Sequence, residues 1–205
     1  KGGWVYFMAS PDNAAQRYLY RVSLNGNGKL ERITPKEFSG SNSYQLSDAA
    51  KYAIHSFSSS NSVPVSNLIK LPEHKIIKKL VENKELAEKI NAIKHAPTEF
   101  FKVDIGSGVD LDGWIIKPAD FDPAKKYPVL FYVYTEPAAQ TVVDRWGGAQ
   151  YLWYLMFAQQ GYIIISVDNR GTPAPRGREF RKSIYKKIGI LNSADQAAAA
   201  TALIK

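Results

Sequence analysis

The chain has 205 residues, of which 45% are hydrophobic and 22% are charged. This is the composition of a folded globular protein with room for one or two domains, and it excludes a largely disordered chain. The sequence contains no cysteine, which excludes disulfide frameworks and thiolate metal sites, and no apolar run reaches the length of a membrane span.

The formal net charge of +8 raises the question of a nucleic-acid partner. The basic residues are spread along the chain, however, and the densest group of lysines, between positions 75 and 94, is interleaved with glutamates. This mixed pattern favours a solvated face over a surface that steers an anionic partner. A nucleic-acid-binding module therefore rests on net charge alone, and we expect no nucleic-acid partner.

The first 70 residues predict an antiparallel all-β unit. Short runs rich in aromatic and β-branched residues alternate with turn signals such as Ser10-Pro11 and the Asn/Gly cluster at 25–28. The predicted strands cover residues 4–9, 18–24, 29–34, 44–48, 51–58 and 65–70. Their length and spacing fit a four-stranded β-propeller blade, although a single period does not establish a repeat.

Residues 71–98 predict a linker that carries one charged helix. Between positions 82 and 94, Leu86, Ile90 and Ile93 recur at helical spacing and form a narrow apolar stripe. We expect the boundary between two domains in this segment. The following residues, 99–126, predict a hairpin with alternating runs at 99–105 and 112–118 and a turn at 106–108.

The stretch 127–171 predicts a strand–helix–strand unit of an α/β sheet. Apolar runs of strand length at 128–134 and 162–167 flank a helical pattern at 151–160, which closes on Gly161. A crossover of this size joins parallel strands, and the preceding hairpin fits at the antiparallel edge of the same sheet. Ligands of such sheets bind beyond the carboxyl ends of the strands, where we expect Tyr134 and Asp168.

Two helical segments are predicted after the second strand of this unit. The first is basic and covers residues 178–187, and the second begins at Ser193, which has the spacing of a capping box with Gln196. This last helical pattern runs to the end of the sequence, and the first residue is not Met. We therefore expect the chain to be a piece of a longer protein.

Few residues of the chain are candidates for chemistry. The nucleophile motif Gly-x-Ser-x-Gly does not occur, and the three histidines, His55, His74 and His95, have no metal-ligand neighbours at useful sequence spacing. His55 is expected to be a core or edge residue of its strand. No cofactor or metal is implied.

Tyr134, Asp168 and Arg170 each allow a structural and a functional interpretation. From the residues alone, Tyr134 is either a strand-end tyrosine whose hydroxyl meets water or a donor to negative charge that develops in a pocket, and the first is favoured. Asp168 and Arg170 either form a partly buried ion pair that fixes the loop or hold a substrate carboxylate, and the structural role is favoured. Glu136 is either solvated or an electrostatic partner of the loop.

Three stretches, in this order and spacing, resemble the prolyl oligopeptidase family of serine peptidases, in particular its dipeptidyl peptidase IV branch. The first is Lys125-Lys126-Tyr127-Pro128-Val129 leading to Val133-Tyr134-Thr135-Glu136-Pro137. The second is Gln159-Gln160-Gly161-Tyr162 leading to Val167-Asp168-Asn169-Arg170-Gly171-Thr172. The third runs from Gly189-Ile190 to Asp195-Gln196-Ala197.

The resemblance implies a three-part organisation. Residues 1–70 would be the closing blade of a β-propeller, 71–98 the linker, and 99–205 the N-terminal part of an α/β-hydrolase domain. It also implies that Tyr134 donates its hydroxyl to the oxyanion, which reverses the preference stated above, and that Pro137 matches the proline of the same motif. Glu136 and Pro137 become candidate substrate-binding residues, whereas Asp168 and Arg170 remain structural. Thr135 and Glu136 stand where the human-type enzyme has small residues, so the resemblance does not determine the shape of the local pocket.

The family's catalytic Ser, Asp and His follow the helix at which this chain stops, and its paired glutamates precede residue 1. The resemblance therefore implies a parent exopeptidase that releases N-terminal dipeptides, while the 205 residues alone are expected to be inactive. The alternatives are a tripeptidyl or acylaminoacyl peptidase of the family, or a catalytically inactive member that binds peptides or proteins. The resemblance also implies peptide substrates with a free N-terminus, a periplasmic or secreted location and a homodimeric parent.

Overall fold

The computed structural model describes residues 3–26, 28–106 and 108–204, and the chain forms two compact units. The first unit comprises Lys1–Ile93 together with Asp144–Trp146. The second comprises Lys94–Val143 and Gly147–Lys205. Asn27 of the predicted turn at 25–28 and Ser107 of the turn at 106–108 lie outside the described residues.

The first unit contains two antiparallel sheets. One has three strands in the order β1 (Trp4–Ala9), β2 (Tyr18–Ser23) and β3 (Glu31–Arg32). The other has four strands in the order β4 (Ser41–Leu46), β5 (Tyr52–Ser59), β6 (Ser62–Lys70) and β7 (Lys75–Val81), and helix α1 (Lys84–Asn91) follows it. The antiparallel strands expected in this part of the sequence are therefore present.

The prediction for residues 75–81 is wrong, because the sequence pattern placed them in the linker and the structure shows them as strand β7. It is the edge strand of the four-stranded sheet and pairs with β6. All seven of its residues are exposed, so its sequence lacks the alternation of buried and exposed side chains that identifies a half-buried strand. Backbone pairing with β6 thus determines its structure, in place of side-chain burial.

The apolar core of the first unit lies between the two sheets. The three-stranded sheet contributes Leu19 of β2, and Ile33 follows its strand β3 directly. The four-stranded sheet contributes Ala53 of β5 and Ile69 of β6. All four are at least 90% buried, and Leu71 completes the cluster. Because each sheet supplies one apolar face, burial of these side chains stabilises the pair of sheets.

A buried polar cluster lies in the four-stranded sheet of the first unit. The Nε2 atom of His55 is 2.8 Å from Oδ1 of Asn42, and Nε2 of His74 is 2.9 Å from the hydroxyl of Tyr44, which is itself 2.8 Å from Oγ1 of Thr34. The two imidazole rings lie 4.6 Å apart and perpendicular, and the Tyr44 ring stacks on His55. Burial lowers the pKa of His55 to about 3, with a further contribution from His74, and burial raises the pKa of Tyr44. The sequence correctly predicted His55 as a core residue but did not predict its pairing with His74.

Residues 144–146 belong to the first unit because Asp144 is held there. Its carboxylate accepts hydrogen bonds from the Ser60 backbone N–H (2.8 Å), the Ser60 hydroxyl (3.1 Å) and the Gln16 side chain (2.8 Å). Its own N–H donates to the Ala15 carbonyl oxygen. A buried carboxylate with this many donors satisfies the requirement that buried charge be hydrogen-bonded.

The second unit is built on one mixed four-stranded sheet. Its strands are β8 (Glu99–Asp104), β9 (Asp110–Ile116), β10 (Val129–Phe131) and β11 (Ile163–Val167), and its helices are α2 (Gly148–Gln159), α3 (Gly177–Lys182) and α4 (Leu191–Ile204). The strand order is β10-β11-β9-β8, with β10 parallel to β11 and the β8–β9 hairpin antiparallel. The predicted combination of a parallel strand–helix–strand unit and an antiparallel hairpin is therefore confirmed.

The sheet of the second unit is covered on both faces. Ile165 and Val167 of β11 pack with Ala199 of α4, whereas Trp114 of β9 contacts Tyr154 of α2 with ring centroids 5.1 Å apart. Trp114 is paired with Ser166, so it lies on the face opposite to Ile165 and Val167. This double burial explains why β11 reads as a continuous apolar run.

Several element boundaries differ from those predicted from the sequence. Strand β10 ends at Phe131 rather than at residue 134, and α3 ends at Lys182 rather than at residue 187. The end of α2 matches the prediction, since Gly161 adopts φ 89° and the N–H groups of Gly161 and Tyr162 return to the carbonyl oxygens of Ala158 and Phe157.

The capping box predicted at Ser193 and Gln196 is wrong. Helix α4 begins two residues earlier, so Ser193 lies inside it and donates its hydroxyl to the carbonyl oxygen of Gly189, four residues back. The side-chain amide of Gln196 donates to the carbonyl oxygen of Val167 at 2.8 Å. Tertiary contacts between α4 and the end of β11 therefore take the place of the local cap.

Candidate functional site

Tyr134 lies three residues beyond the end of β10 rather than at its last residue. The last sheet hydrogen bond on this side runs from the Tyr132 N–H to the Ile165 carbonyl oxygen at 2.8 Å. After it, Tyr132, Val133 and Tyr134 are 37%, 46% and 40% exposed. The apolar run thus leaves the sheet before its end, and the Tyr134 side chain is open to solvent.

The residue after Tyr134 adopts an unusual backbone conformation. Thr135 has φ 62°, and the Glu136 N–H donates to the Tyr134 carbonyl oxygen at 2.8 Å, which closes a three-residue turn around Thr135. A γ-turn with positive φ at its centre is the rarer and more strained of the two forms. For a β-branched residue this conformation costs of order 1–3 kcal/mol, so the surrounding structure has to hold it in place.

Two asparagines bind the carbonyl oxygen of Thr135. Nδ2 of Asn169, which follows β11, donates to it at 3.2 Å, and Nδ2 of Asn192 in α4 donates to it at 3.3 Å. Both asparagines are buried, with 0% and 4% of their surface exposed. The turn that follows Tyr134 is therefore connected to two further elements of the second unit.

Asp168 binds the backbone between Pro137 and α2. Its Oδ1 accepts hydrogen bonds from the N–H (2.9 Å) and the hydroxyl (2.8 Å) of Thr141, and its Oδ2 accepts one from the N–H of Val142 (3.1 Å). Burial raises the pKa of Asp168, whereas the hydrogen bonds from Thr141 and Val142 act in the opposite direction. This carboxylate fixes a loop by accepting N–H groups.

The proposed ion pair between Asp168 and Arg170 is wrong, because the carboxylate that pairs with Arg170 is that of Asp195 in α4. The guanidinium makes a two-pronged contact, with Nε 3.0 Å from Oδ2 and Nη2 2.6 Å from Oδ1, and the Arg170 N–H also donates to Oδ2 at 3.0 Å. These hydrogen bonds raise the pKa of Arg170. Gly171 follows at φ 94°, where an added Cβ would lie 2.5 Å from the Ile184 side chain.

Glu136 and Pro137 lie in the turn after Thr135. The Glu136 side chain is exposed, and Pro137 is partly buried. Both residues are close to Tyr134 in the chain, and their binding role remains a prediction.

The residues that sequence reasoning missed are Asn169, Asn192 and Asp195 as partners of the Tyr134 and Arg170 loops. All three stood within the stretches that carry the family resemblance, but their contacts depend on α4 reaching the end of β11. No spacing rule predicts a hydrogen bond over 57 residues, such as that between Asn192 and Thr135.

Part of the lysine-rich segment of the first unit is paired with acidic side chains. Lys79, Lys84 and Lys89 form ion pairs with the nearby glutamates Glu82 and Glu85 at 2.7–3.4 Å.

In the part of the chain that the structure describes, no helix has the length and hydropathy of a membrane span. Within residues 3–26, 28–106 and 108–204, no group of three or more His, Cys, Asp or Glu could hold a metal ion.

Comparison with family models finds two matches. A model of the dipeptidyl peptidase IV N-terminal region matches residues 1–64, and a model of the prolyl oligopeptidase family matches residues 150–205. The second match includes β11, the loop of Asp168 and Arg170, and α4.

Curated and solved relatives match nearly the whole chain. Dipeptidyl peptidase 4 of Trichophyton equinum is 34% identical over 98% of this chain, and a probable dipeptidyl-aminopeptidase B of Emericella nidulans is 35% identical over 97%. The crystal structure of Porphyromonas gingivalis dipeptidyl peptidase 4 superposes with a TM-score of 0.89 at 33% identity, over 98% of this chain. The chain spans 26%, 21% and 28% of these three relatives, or about a quarter of their length.

Proposed function

We propose that this chain, which belongs to the prolyl oligopeptidase family, forms part of a serine peptidase that removes dipeptides from the free N-termini of peptides. The names of its relatives, dipeptidyl peptidase 4 and dipeptidyl-aminopeptidase B, support this activity. Proline or alanine is the expected residue at the second substrate position.

We propose a domain assignment of the parent protein that the same comparisons support. The two antiparallel sheets of the first unit would belong to the end of a β-propeller, and the mixed sheet of the second unit would be the N-terminal part of an α/β-hydrolase domain. The match of residues 1–64 to the N-terminal-region model supports the first assignment, and the match of residues 150–205 to the peptidase model supports the second.

Among the residues of this chain, Tyr134 is the one proposed to contact the reacting atoms. Serine attack on the substrate carbonyl places negative charge on its oxygen, and the Tyr134 hydroxyl donates a hydrogen bond to that oxygen. The observation that carries this role is its position just beyond the parallel strand β10, with an exposed side chain on a turn held by buried hydrogen bonds. The nucleophilic Ser, the His base and the Asp that orients it are expected outside these 205 residues.

Glu136 and Pro137 are proposed to contact the substrate beside Tyr134, whereas Asp168 and Arg170 keep the surrounding loops in place. The parent is expected to act on peptides outside the cytoplasm, in the periplasm or after secretion, and to form a homodimer. These expectations rest on the family resemblance.

The test is removal of the Tyr134 hydroxyl in the complete protein that contains this chain. Tyr134→Phe should lower kcat for an X-Pro chromogenic substrate by roughly 10²–10³-fold, the range for loss of one oxyanion donor. Tyr132→Phe is the matched control, because it removes the hydroxyl of an equally exposed tyrosine two residues away.

A fall of less than threefold for Tyr134→Phe would remove Tyr134 from the mechanism. If the complete wild-type protein does not cleave the substrate at all, the alternative of a family member that only binds peptides or proteins is supported instead. The isolated 205-residue chain, which has no Gly-x-Ser-x-Gly motif, is expected to be inactive in the same assay.

A further inference from the structure

We infer that Asn192 and Asn169 are positioning residues that set the direction of the Tyr134 hydroxyl by holding the carbonyl oxygen of Thr135. The inference rests on the proposed role of Tyr134 as oxyanion donor. Neither asparagine is expected to touch the substrate, and both would act through the backbone of the turn.

The turn around Thr135 needs external support. Thr135 is β-branched and has φ 62°, a conformation that this residue type rarely adopts. The hydrogen bond from the Glu136 N–H to the Tyr134 carbonyl oxygen closes the turn, but one such bond does not offset the strain of this conformation. Further contacts are therefore required to make this conformation dominant.

The two asparagines supply those contacts from the interior of the second unit. The Thr135 carbonyl oxygen has two lone pairs and accepts two hydrogen bonds, one from Asn169 and one from Asn192. Both donors are more than 95% buried, so solvent does not readily replace them. Loss of either would leave a carbonyl lone pair unsatisfied beside the strained residue.

The orientation of each asparagine amide is determined by the group that its Oδ1 atom binds. The Gly189 N–H can only donate, and it lies 2.7 Å from Oδ1 of Asn192, so Nδ2 of Asn192 faces Thr135. Nε2 of Gln196 donates both to the Val167 carbonyl oxygen and to Oδ1 of Asn169 at 3.1 Å, which fixes Asn169 in the same sense. Gln196 of α4 thus orients Asn169, and Gly189, which precedes α4, orients Asn192. The two amides together hold the peptide between Thr135 and Glu136.

The two asparagines differ in the other hydrogen bonds that they make. Asn169 also donates to the carbonyl oxygen of Arg170 at 2.8 Å, so its replacement would disturb its own loop as well as the turn. Nδ2 of Asn192 donates to the Thr135 carbonyl oxygen, and it has no second acceptor among the described residues. Asn192 is therefore the sharper probe of the positioning role.

The experiment is a double-mutant cycle in the complete protein with the X-Pro chromogenic substrate. Asn192→Ala should lower kcat by roughly 10-fold with little change in KM, since an oxyanion donor acts in the transition state and Asn192 acts through its coupling to that donor. In the Tyr134→Phe background, the same replacement should lower kcat by less than about twofold, because no hydroxyl remains to be positioned.

Two further variants keep the test independent of folding. Asn192→Leu is close to asparagine in size and carries neither a charge nor a donor to Thr135, and it should reproduce the kcat effect if Asn192→Ala does not fold. Asn42→Ala is the matched control, because Asn42 is equally buried and also donates to backbone carbonyl oxygens, but in the first unit. Its effect on kcat should be the same with and without the Tyr134 hydroxyl.

An equal fall in kcat from the Asn192 variants in both backgrounds, or no fall in either, would overturn the positioning role while leaving the function of Tyr134 intact. If Tyr134→Phe by itself leaves kcat unchanged, the proposed function of Tyr134 fails and the inference fails with it.

Discussion

Each of the two units contains a buried polar cluster, and the two clusters are stabilised in different ways. In the first unit, neutral groups form two hydrogen-bonded sets, Asn42 with His55 and Tyr44 with Thr34 and His74, and the Phe38 ring contacts both imidazoles. In the second unit, the cluster after β11 contains the charged pair of Arg170 and Asp195 together with buried amides.

The difference shows two ways to bury polarity. In the neutral cluster, the surroundings suppress charge, since burial lowers the pKa of both His55 and His74. In the charged cluster, the opposite charge and the N–H groups satisfy the carboxylates, so the ions are retained. The first arrangement makes a stable sheet core, and the second ties several loops together next to Tyr134.

The largest effect is expected from breaking the charged pair. Arg170→Ala would leave Asp195, which is 1% exposed, without its counter-ion, and loss of one partner of a buried pair costs about 3–5 kcal/mol. Urea unfolding of the chain, followed by circular dichroism, measures this loss. Arg170→Lys is the control, because it keeps the charge but loses the two-pronged geometry and should lose less.

The matched change in the neutral cluster is Tyr44→Phe, which removes one hydroxyl between Thr34 and His74 and should cost about 1–2 kcal/mol. If Tyr44→Phe is as destabilising as Arg170→Ala, the distinction between the two clusters is wrong.

The next effect is a dependence of stability on pH that arises from the neutral cluster. His55 has a pKa of about 3 in the folded chain and about 6.5 when unfolded, so the unfolded state binds the proton first as the pH falls. Its contribution is complete above pH 6.5 and decreases between pH 6.5 and 3, by about 3 kcal/mol at pH 4.

Urea midpoints at pH 7 and pH 4 measure this loss. His55→Leu should be less stable than wild type at pH 7, where Asn42 loses its partner, but its stability should fall less on acidification. His95→Gln controls for removal of a histidine in general. An unchanged pH dependence in His55→Leu would show that other groups are responsible.

The smallest effect concerns the start of α4. Ser193 lies inside the helix and bonds back to the carbonyl oxygen of Gly189, so Ser193→Ala should change stability by less than about 0.5 kcal/mol or raise it slightly. A true N-cap serine would lose about 1 kcal/mol on the same replacement. Thermal unfolding of the two chains distinguishes these outcomes, and a clear loss would restore the capping role.

The elements predicted best are those with a strong local pattern. The strands β1, β2, β5, β8 and β11 and the helix α2 follow from runs of aromatic and β-branched residues and from the glycine at 161. The prediction failed at β7, whose residues are all exposed, and after Phe131, where the apolar run leaves the sheet. Both failures have the same cause, because hydrophobicity reports which side chains can be buried and not where the backbone finds its partners.

The sequence by itself determined the class of fold, the mixed character of the second sheet and the place of Tyr134 within the first of three recognisable stretches. The tertiary structure decided which groups meet: Arg170 with Asp195, Asp168 with the backbone at 141 and 142, and Thr135 with Asn169 and Asn192. The physical reason is that side chains from α4 come to the end of β11 only when the sheet and its helices pack together. Periodicity and propensity act over a few residues, whereas the contacts that hold the turn after Tyr134 join residues 34 and 57 positions apart.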